Sequence, residues 1–193
     1  MTVDFPNKHF LINGEWICSN TEIDLINPST GDVIAQVSEA NDEHVNDAVG
    51  VAKDTLENTW KDITARERST LLSKLGRLIE ENYDVLASLE ATDVGKPLRQ
   101  AQADVKALAR YMEFYAGAAD KLHGDTIPYL KDYTVYTLRE PHGVCAHIIP
   151  WNYPMQIIGR SVGAALATGN TCILKPAEDC LLYTSPSPRD QVV

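Results

Sequence analysis

Gly143-Val-Cys-Ala-His-Ile-Ile149 and Thr171-Cys-Ile-Leu174 decide how this chain is read. The first is a nearly unbroken apolar run with β-branched residues. Such a run predicts a strand buried on both faces, as parallel sheets require. The second predicts the neighbouring buried strand. Between them, Met155 to Leu166 is rich in small residues and stops at Gly169, which predicts a helix. Strand, helix and strand in that order form a βαβ unit, whose crossover is expected to be right-handed.

Upstream, the first forty residues read as two hairpins. Phe10 to Ile12 and Glu15 to Ile17 flank Asn13-Gly14, the favoured two-residue turn. Glu22 to Ile26 and Val33 to Val37 flank Asn27-Pro-Ser-Thr-Gly31. Helices follow. Asn41 precedes two acids and the spaced residues Val45, Ala48, Val49 and Ala52. Thr64 and Glu67 form a capping box that opens a second helix, whose stripe runs Leu71, Leu72, Leu75, Leu78, Ile79, Leu86 and Leu89 to Val94-Gly95. Lys96-Pro97 opens a third, carrying Ala103, Val105, Leu108, Tyr111, Met112 and Tyr115 and closing near Gly124. These stripes are core signals with no chemical role. Thr126 to Leu130 and Tyr133 to Leu138, joined at Lys131-Asp132, suit an exposed or intersubunit β pair. The fold class expected is α/β, with β-hairpins, long helices and the start of a parallel Rossmann-like sheet.

Composition narrows the function. The net charge of -10 argues against a nucleic-acid surface, which needs a basic face. No apolar run is long enough to span a membrane, and no secretory signal precedes the first hairpin. Cys18, Cys145, Cys172 and Cys180 form no C-x-x-C pair and no metal-ligand spacing with histidine. They are expected to be reduced in a cytoplasmic protein, with no metal site.

The chemistry concentrates where the two strands stop. Ile148-Ile-Pro-Trp-Asn-Tyr-Pro154 and Leu174-Lys-Pro-Ala-Glu178 should face one crevice, since open α/β sheets bind ligands at the carboxyl ends of their strands. Asn152 between two prolines offers an amide donor on a stiff support, suited to a developing oxyanion. Lys175 and Glu178 can each hydrogen-bond a ribose hydroxyl, and a carboxylate there repels a 2′-phosphate, favouring NAD over NADP. Taken singly, each residue has a plainer reading. Asn152 is then a turn residue, Trp151 a packing residue, and Lys175 with Glu178 a solvated ion pair. Their joint occurrence after consecutive strands favours the ligand site.

These segments, with Gly163-Ala-Ala-Leu-Ala-Thr-Gly-Asn170, Asn27-Pro-Ser-Thr-Gly31, Asp93-Val-Gly-Lys-Pro97 and Tyr115-Ala-Gly, resemble the ordered signatures of the aldehyde dehydrogenase superfamily from about Phe10 to about Asp179. The resemblance implies the amino-terminal part of that fold and oxidation of a small-molecule aldehyde to a carboxylic acid with NAD. It gives Asn152 the role of an oxyanion donor. It places Ile148, Ile149, Pro150, Trp151 and Asn152 along the cofactor channel, and Lys175, Pro176, Ala177 and Glu178 at the adenosine ribose. It makes 125–141 an oligomerisation β-hairpin, so a homo-oligomer is expected, and 1–124 with 142–179 an incomplete NAD-binding domain. Asn27 and Asp93 lie in motifs that sit near a monovalent cation in some members. Arg160 departs from the lysine many members carry in the helix after Trp-Asn. Arginine does not readily lose a proton, which puts any relay role there in doubt.

In this family the cysteine nucleophile and the glutamate base lie downstream of Lys-Pro-Ala-Glu, so the chain is expected to lack the catalytic domain and to be inactive by itself. From Cys180, the text Leu-Leu-Tyr-Thr-Ser-Pro-Ser-Pro-Arg-Asp190 reads as a non-native tail resembling a translated library adapter, the alternative being a disordered Ser-Pro tail. Two rival functions stand beside the enzyme. One is a non-catalytic fragment that docks on full-length subunits. The other is a different nucleotide-binding α/β enzyme, disfavoured by the absence of a G-x-G-x-x-G turn.

Overall fold

The computed structural model describes residues 9–178. The expectations for the tail from Cys180 lie outside the described residues.

Two hairpins open the chain. Strands β1 (Phe10–Ile12) and β2 (Glu15–Ile17) pair across Asn13 and Gly14, both at positive φ, as the Asn-Gly turn requires. Strands β3 (Glu22–Ile26) and β4 (Val33–Ser38) pair with a register shift at Leu25/Ile26. Their turn is closed by the Asn27 side chain, which accepts from Ser29 N at 2.8 Å.

Helix α1 (Asp42–Asn58) is capped by Asn41, whose Oδ1 accepts from His44 N at 3.0 Å. Helix α2 (Ala65–Glu81) starts at the expected box: Glu67 Oε2 accepts from Thr64 N at 2.8 Å and Thr64 Oγ1 from Glu67 N at 3.3 Å. The long second helix expected from the stripe is in fact two. It breaks at Asn82, whose Nδ2 donates to Leu78 O, and resumes as α3 (Tyr83–Val94). A side chain bonding back to its own turn competes with helix continuation. Helix α4 (Leu98–Ala118) ends well before Gly124. Leu72, Ile79, Leu89, Val105, Leu108 and Met112 enter the core, whereas Val45, Leu71, Leu78 and Ala103 face outward. The β pair is shorter than expected, with β5 (Thr126–Ile127) against β6 (Val135–Tyr136).

Strands β7 (Val144–Ile148) and β8 (Thr171–Lys175) are parallel, in register from Val144↔Thr171 to Ile148↔Lys175, with α5 (Pro154–Ala167) between them in sequence. Cys145, Ile149, Cys172 and Leu174 point into the core shared with α4 and α5, while Ile173 packs toward α1 and the first hairpin. Burial of β7 on both faces does not hold. Ala146 and Ile148 are exposed, so one face of β7 is left without full cover although α1 reaches its start beside Gly143.

Close approach of α5 to α4 brings the parts of the site together. A Cβ on Gly159 would lie 2.8 Å from Tyr111 Cδ2, and one on Gly163 would lie 2.8 Å from Tyr115 Cδ2. Only glycine permits that spacing without repacking the tyrosines. At the far end of α5, Asn170 is buried and fastens the unit: its Nδ2 donates to Ala165 O at 3.2 Å and its Oδ1 accepts from Gly143 N at 3.0 Å. The Ala-Thr-Gly-Asn motif is therefore a clasp between the end of α5 and the start of β7.

Candidate functional site

Parallel pairing fixes the geometry of the candidate edge. Ile148 and Lys175 are partners in the register, and Ile149 N donates to Lys175 O at 2.9 Å. Both strand ends therefore stop at one level, and the Pro150–Pro154 turn and the Lys175–Glu178 segment leave side by side. Ile148 is 76% exposed and Trp151 56%, which sets an apolar shelf beside the polar pair. Asn152 and Tyr153 are also exposed, whereas Ile149 is fully buried and serves the core. Pro176 and Ala177 are half-buried between Lys175 and Glu178.

Lys175 Nζ donates to Glu178 Oε1 at 2.6 Å and to Pro176 O at 3.0 Å. That hydrogen bond from Lys175 holds the Glu178 carboxyl below its ordinary range, so it is ionised at neutral pH. The side chains stay 57% and 75% exposed, so the pair is a surface ion pair with its outer face free for a ligand. It can present one donor and one acceptor to a diol.

Beneath the turn lies a charged cluster that spacing alone did not reveal. Lys96 Nζ, with a side chain 9% exposed, reaches Glu90 Oε1 at 2.9 Å and Asp104 Oδ2 at 2.7 Å. It also donates to Asn152 O at 3.3 Å and stands 4.9 Å from the centre of the Tyr153 ring. Gln156 Nε2 donates to Asp104 Oδ1 at 2.6 Å, tying the first turn of α5 to α4. Burial lifts the Glu90 carboxyl to about 7, against the lowering effect of Lys96 and of the Met155 backbone N–H that faces it. Its Oε2 has no partner at hydrogen-bond distance. Burial pulls the Lys96 ammonium down, but its bonds to Asp104 and Glu90 outweigh that and hold it above lysine's ordinary value. A signal was present in the sequence. Glu90 follows Ala87 by three, and Asp104 lies between Ala101 and Leu108, so both acids fall on apolar stripes.

Two of the described cysteines stand back from this edge. Cys145 and Cys172 face each other in the register, three residues before Ile148 and Lys175. Burial pushes the Cys172 thiol up to about 12, which leaves no thiolate at neutral pH. Cys18 is exposed just after β2. Arg160 is an exposed residue of α5. The Asn27 and Asp93 motifs do meet: a Cβ on Gly95, which caps α3 at φ 68°, would lie 2.7 Å from Pro28 Cγ, and Asp93 is buried beside it in sequence. No helix among the described residues is long and apolar enough to cross a membrane.

Known proteins share this arrangement. The sequence model of the aldehyde dehydrogenase family matches residues 16–185. The mitochondrial aldehyde dehydrogenase of Rattus norvegicus is 43% identical over 179 residues, covering 90% of this chain and 34% of its own length. A Saccharomyces cerevisiae aldehyde dehydrogenase, whose name gives NAD(P)+ as its cofactor, is 42% identical over 176 residues, with 89% and 35% covered. The NAD+ complex of the Bacillus cereus aldehyde dehydrogenase superposes with a TM-score of 0.89 at 43% identity, covering 93% of this chain and 38% of that one. The chain thus spans about a third of the length of the curated relatives it matches.

Proposed function

Since the chain belongs to the aldehyde dehydrogenase family, we propose that it supplies the cofactor edge and one oxyanion donor to an enzyme oxidising an aldehyde to a carboxylic acid with NAD. The observation that carries this is the register Ile148↔Lys175, which sets the Asn152 turn beside the Lys175–Glu178 pair at the carboxyl end of a parallel β pair. The residues fit a dinucleotide by their chemistry. Ile148 and Trp151 offer apolar surface to a base or nicotinamide, and Lys175 with Glu178 offers a donor and an ionised acceptor to the adenosine ribose. The Glu178 charge repels a 2′-phosphate, which supports NAD over NADP.

When bound, the cofactor would supply a hydride acceptor, with Ile148 and Trp151 against its rings and Lys175 and Glu178 at its ribose. Asn152 stabilises negative charge on the substrate oxygen through its side-chain N–H, on a backbone anchored by Lys96. Cys172 is buried with its thiol pushed up to about 12 and Cys145 lies beside it inside the sheet, so neither is read as the thiolate that attacks the substrate carbon. Residues 125–141 are read as the assembly hairpin of a homo-oligomer. Tyr129, Leu130, Tyr133, Tyr136 and Leu138 are each more than 60% exposed there, an apolar surface suited to a second subunit. The free thiols suit a reducing compartment such as the cytoplasm.

Asn152→Ala in the enzyme carrying this sequence is expected to lower kcat by roughly 10²–10³-fold with little change in KM for NAD. A wild-type kcat would remove Asn152 from the reaction. The 193-residue chain alone is expected to form no NADH from short or aromatic aldehydes, and robust turnover would overturn that. The exposed hairpin favours one other reading, a non-catalytic chain that docks on full-length subunits. Co-purification with such a subunit, abolished by Leu138→Asp, is its expected signature.

A further inference from the structure

We infer that Lys96 is the positioning residue of the Asn152 turn, holding the Asn152 backbone against the α3–α4 core so that the side-chain amide keeps a fixed place. The inference deepens the oxyanion role proposed above and rests on it. Trp151 and Asn152 are exposed and belong to neither β7 nor α5, and the exposed Tyr153 joins α5 only as its N-cap, so the order of Trp151 and Asn152 depends on tethers from outside the turn. Lys96 supplies two, the 3.3 Å bond to Asn152 O and the cation facing the Tyr153 ring. An ammonium has three N–H donors, and here they meet two carboxylates and one carbonyl. Glu90 on α3 and Asp104 on α4 hold the ammonium from two helices, so its position is set by the core and not by the turn. Gln156 links the same Asp104 to α5, which sets turn, helix and cluster in one frame. Buried ion sets stabilise little more than well-packed apolar residues of similar volume would. What an apolar side chain cannot supply is a donor to the Asn152 carbonyl.

The test uses the 193-residue chain and reads local order by the ¹⁵N order parameters of the turn amides. Lys96→Met with Glu90→Gln and Asp104→Asn removes the donor without stranding a carboxylate. Order parameters at Trp151, Asn152 and Tyr153 should then fall from the rigid range of about 0.85 to about 0.6 or below while α3 and α4 keep theirs. Lys96→Arg, which retains charge and donors, should keep them high. Unchanged order parameters at those three residues in the triple variant overturn the inference. Should that variant not fold, ¹⁵N NMR of the wild-type chain decides. A slowly exchanging, ordered Lys96 ammonium supports the tether, and a mobile one in fast exchange with water overturns it. These readouts need no turnover. If the turn loosens as expected and Asn152→Ala leaves kcat intact in the enzyme, the positioning stands and the oxyanion role falls.

Discussion

Two groups of lysine and carboxylate side chains flank the same edge of this molecule in opposite surroundings. Glu90, Lys96 and Asp104 lie between α3, α4 and the Asn152 turn, with side chains 0%, 9% and 4% exposed. Lys175 and Glu178 sit at the end of β8, each more than half exposed. In the buried set, removal from water shifts the carboxyl and the ammonium in ways their partners must offset, so each group depends on the others for its charge. In the exposed pair, water screens the attraction and either partner can turn to a ligand at little cost. The same residue types thus hold the backbone of the site in one place and present its hydrogen-bonding face in the other.

The contrast breaks most sharply at Lys96. Lys96→Met leaves two buried carboxylates without their cation and should destabilise the chain by about 3–5 kcal/mol in urea unfolding. Most of that should return when Glu90→Gln and Asp104→Asn are added. A loss no larger than that of a surface substitution would mean the cluster is wetter than its burial indicates.

Acidity gives the next effect. The folded-state value of Glu90, about 7, lies above the 4.5 of a free glutamate. Between those values the folded state binds the extra proton, so this contribution is fully present at low pH and is lost as pH rises through about 7. Its slope approaches ~1.4 kcal/mol per pH unit within that window, an upper bound of roughly 3.5 kcal/mol over the whole. Unfolding free energies of wild type and Glu90→Gln, compared at pH 5 and pH 8, should diverge in that sense. Parallel pH profiles would show that Glu90 ionises as an ordinary glutamate.

Gln156→Leu takes a neutral donor from Asp104 and should cost roughly 1.5–3 kcal/mol, the range for a hydrogen bond to a charged group. Smallest in stability is Glu178→Gln. It should leave the melting midpoint unmoved and, on the NAD preference proposed for this edge, bring NAD and NADP closer in equilibrium binding. A drop in midpoint equal to that of Gln156→Leu would erase the distinction between the two ion sets.

Much of the framework was legible because its causes are local. The Asn13-Gly14 turn, the Asn41 cap and the Thr64–Glu67 box each need only residues within four of one another, and each formed as read. The break at Asn82 is hidden in the sequence because Leu86 and Leu89 prolong the apolar stripe beyond it, while the cause is one side chain bonding to Leu78 O. Glu90 and Asp104 are hard to read from sequence because a charged residue on a helix is ordinarily solvated. Their burial depends on a lysine that spacing did not assign to them.

What the sequence determined by itself was the order of hairpins, helices and βαβ unit, together with the signatures from Asn27 to Glu178 that mark the family. Those features follow from backbone preferences and near neighbours, which a linear text records. Tertiary structure alone decided which face of β7 is covered, and that an ammonium 56 residues before Asn152 would meet its carbonyl. The first depends on how far the elements packed around Ile173 reach over the sheet, and the second on how closely α5 packs on α4 through Gly159 and Gly163. Such packing is a property of surfaces brought together by the whole fold, and no local spacing encodes it.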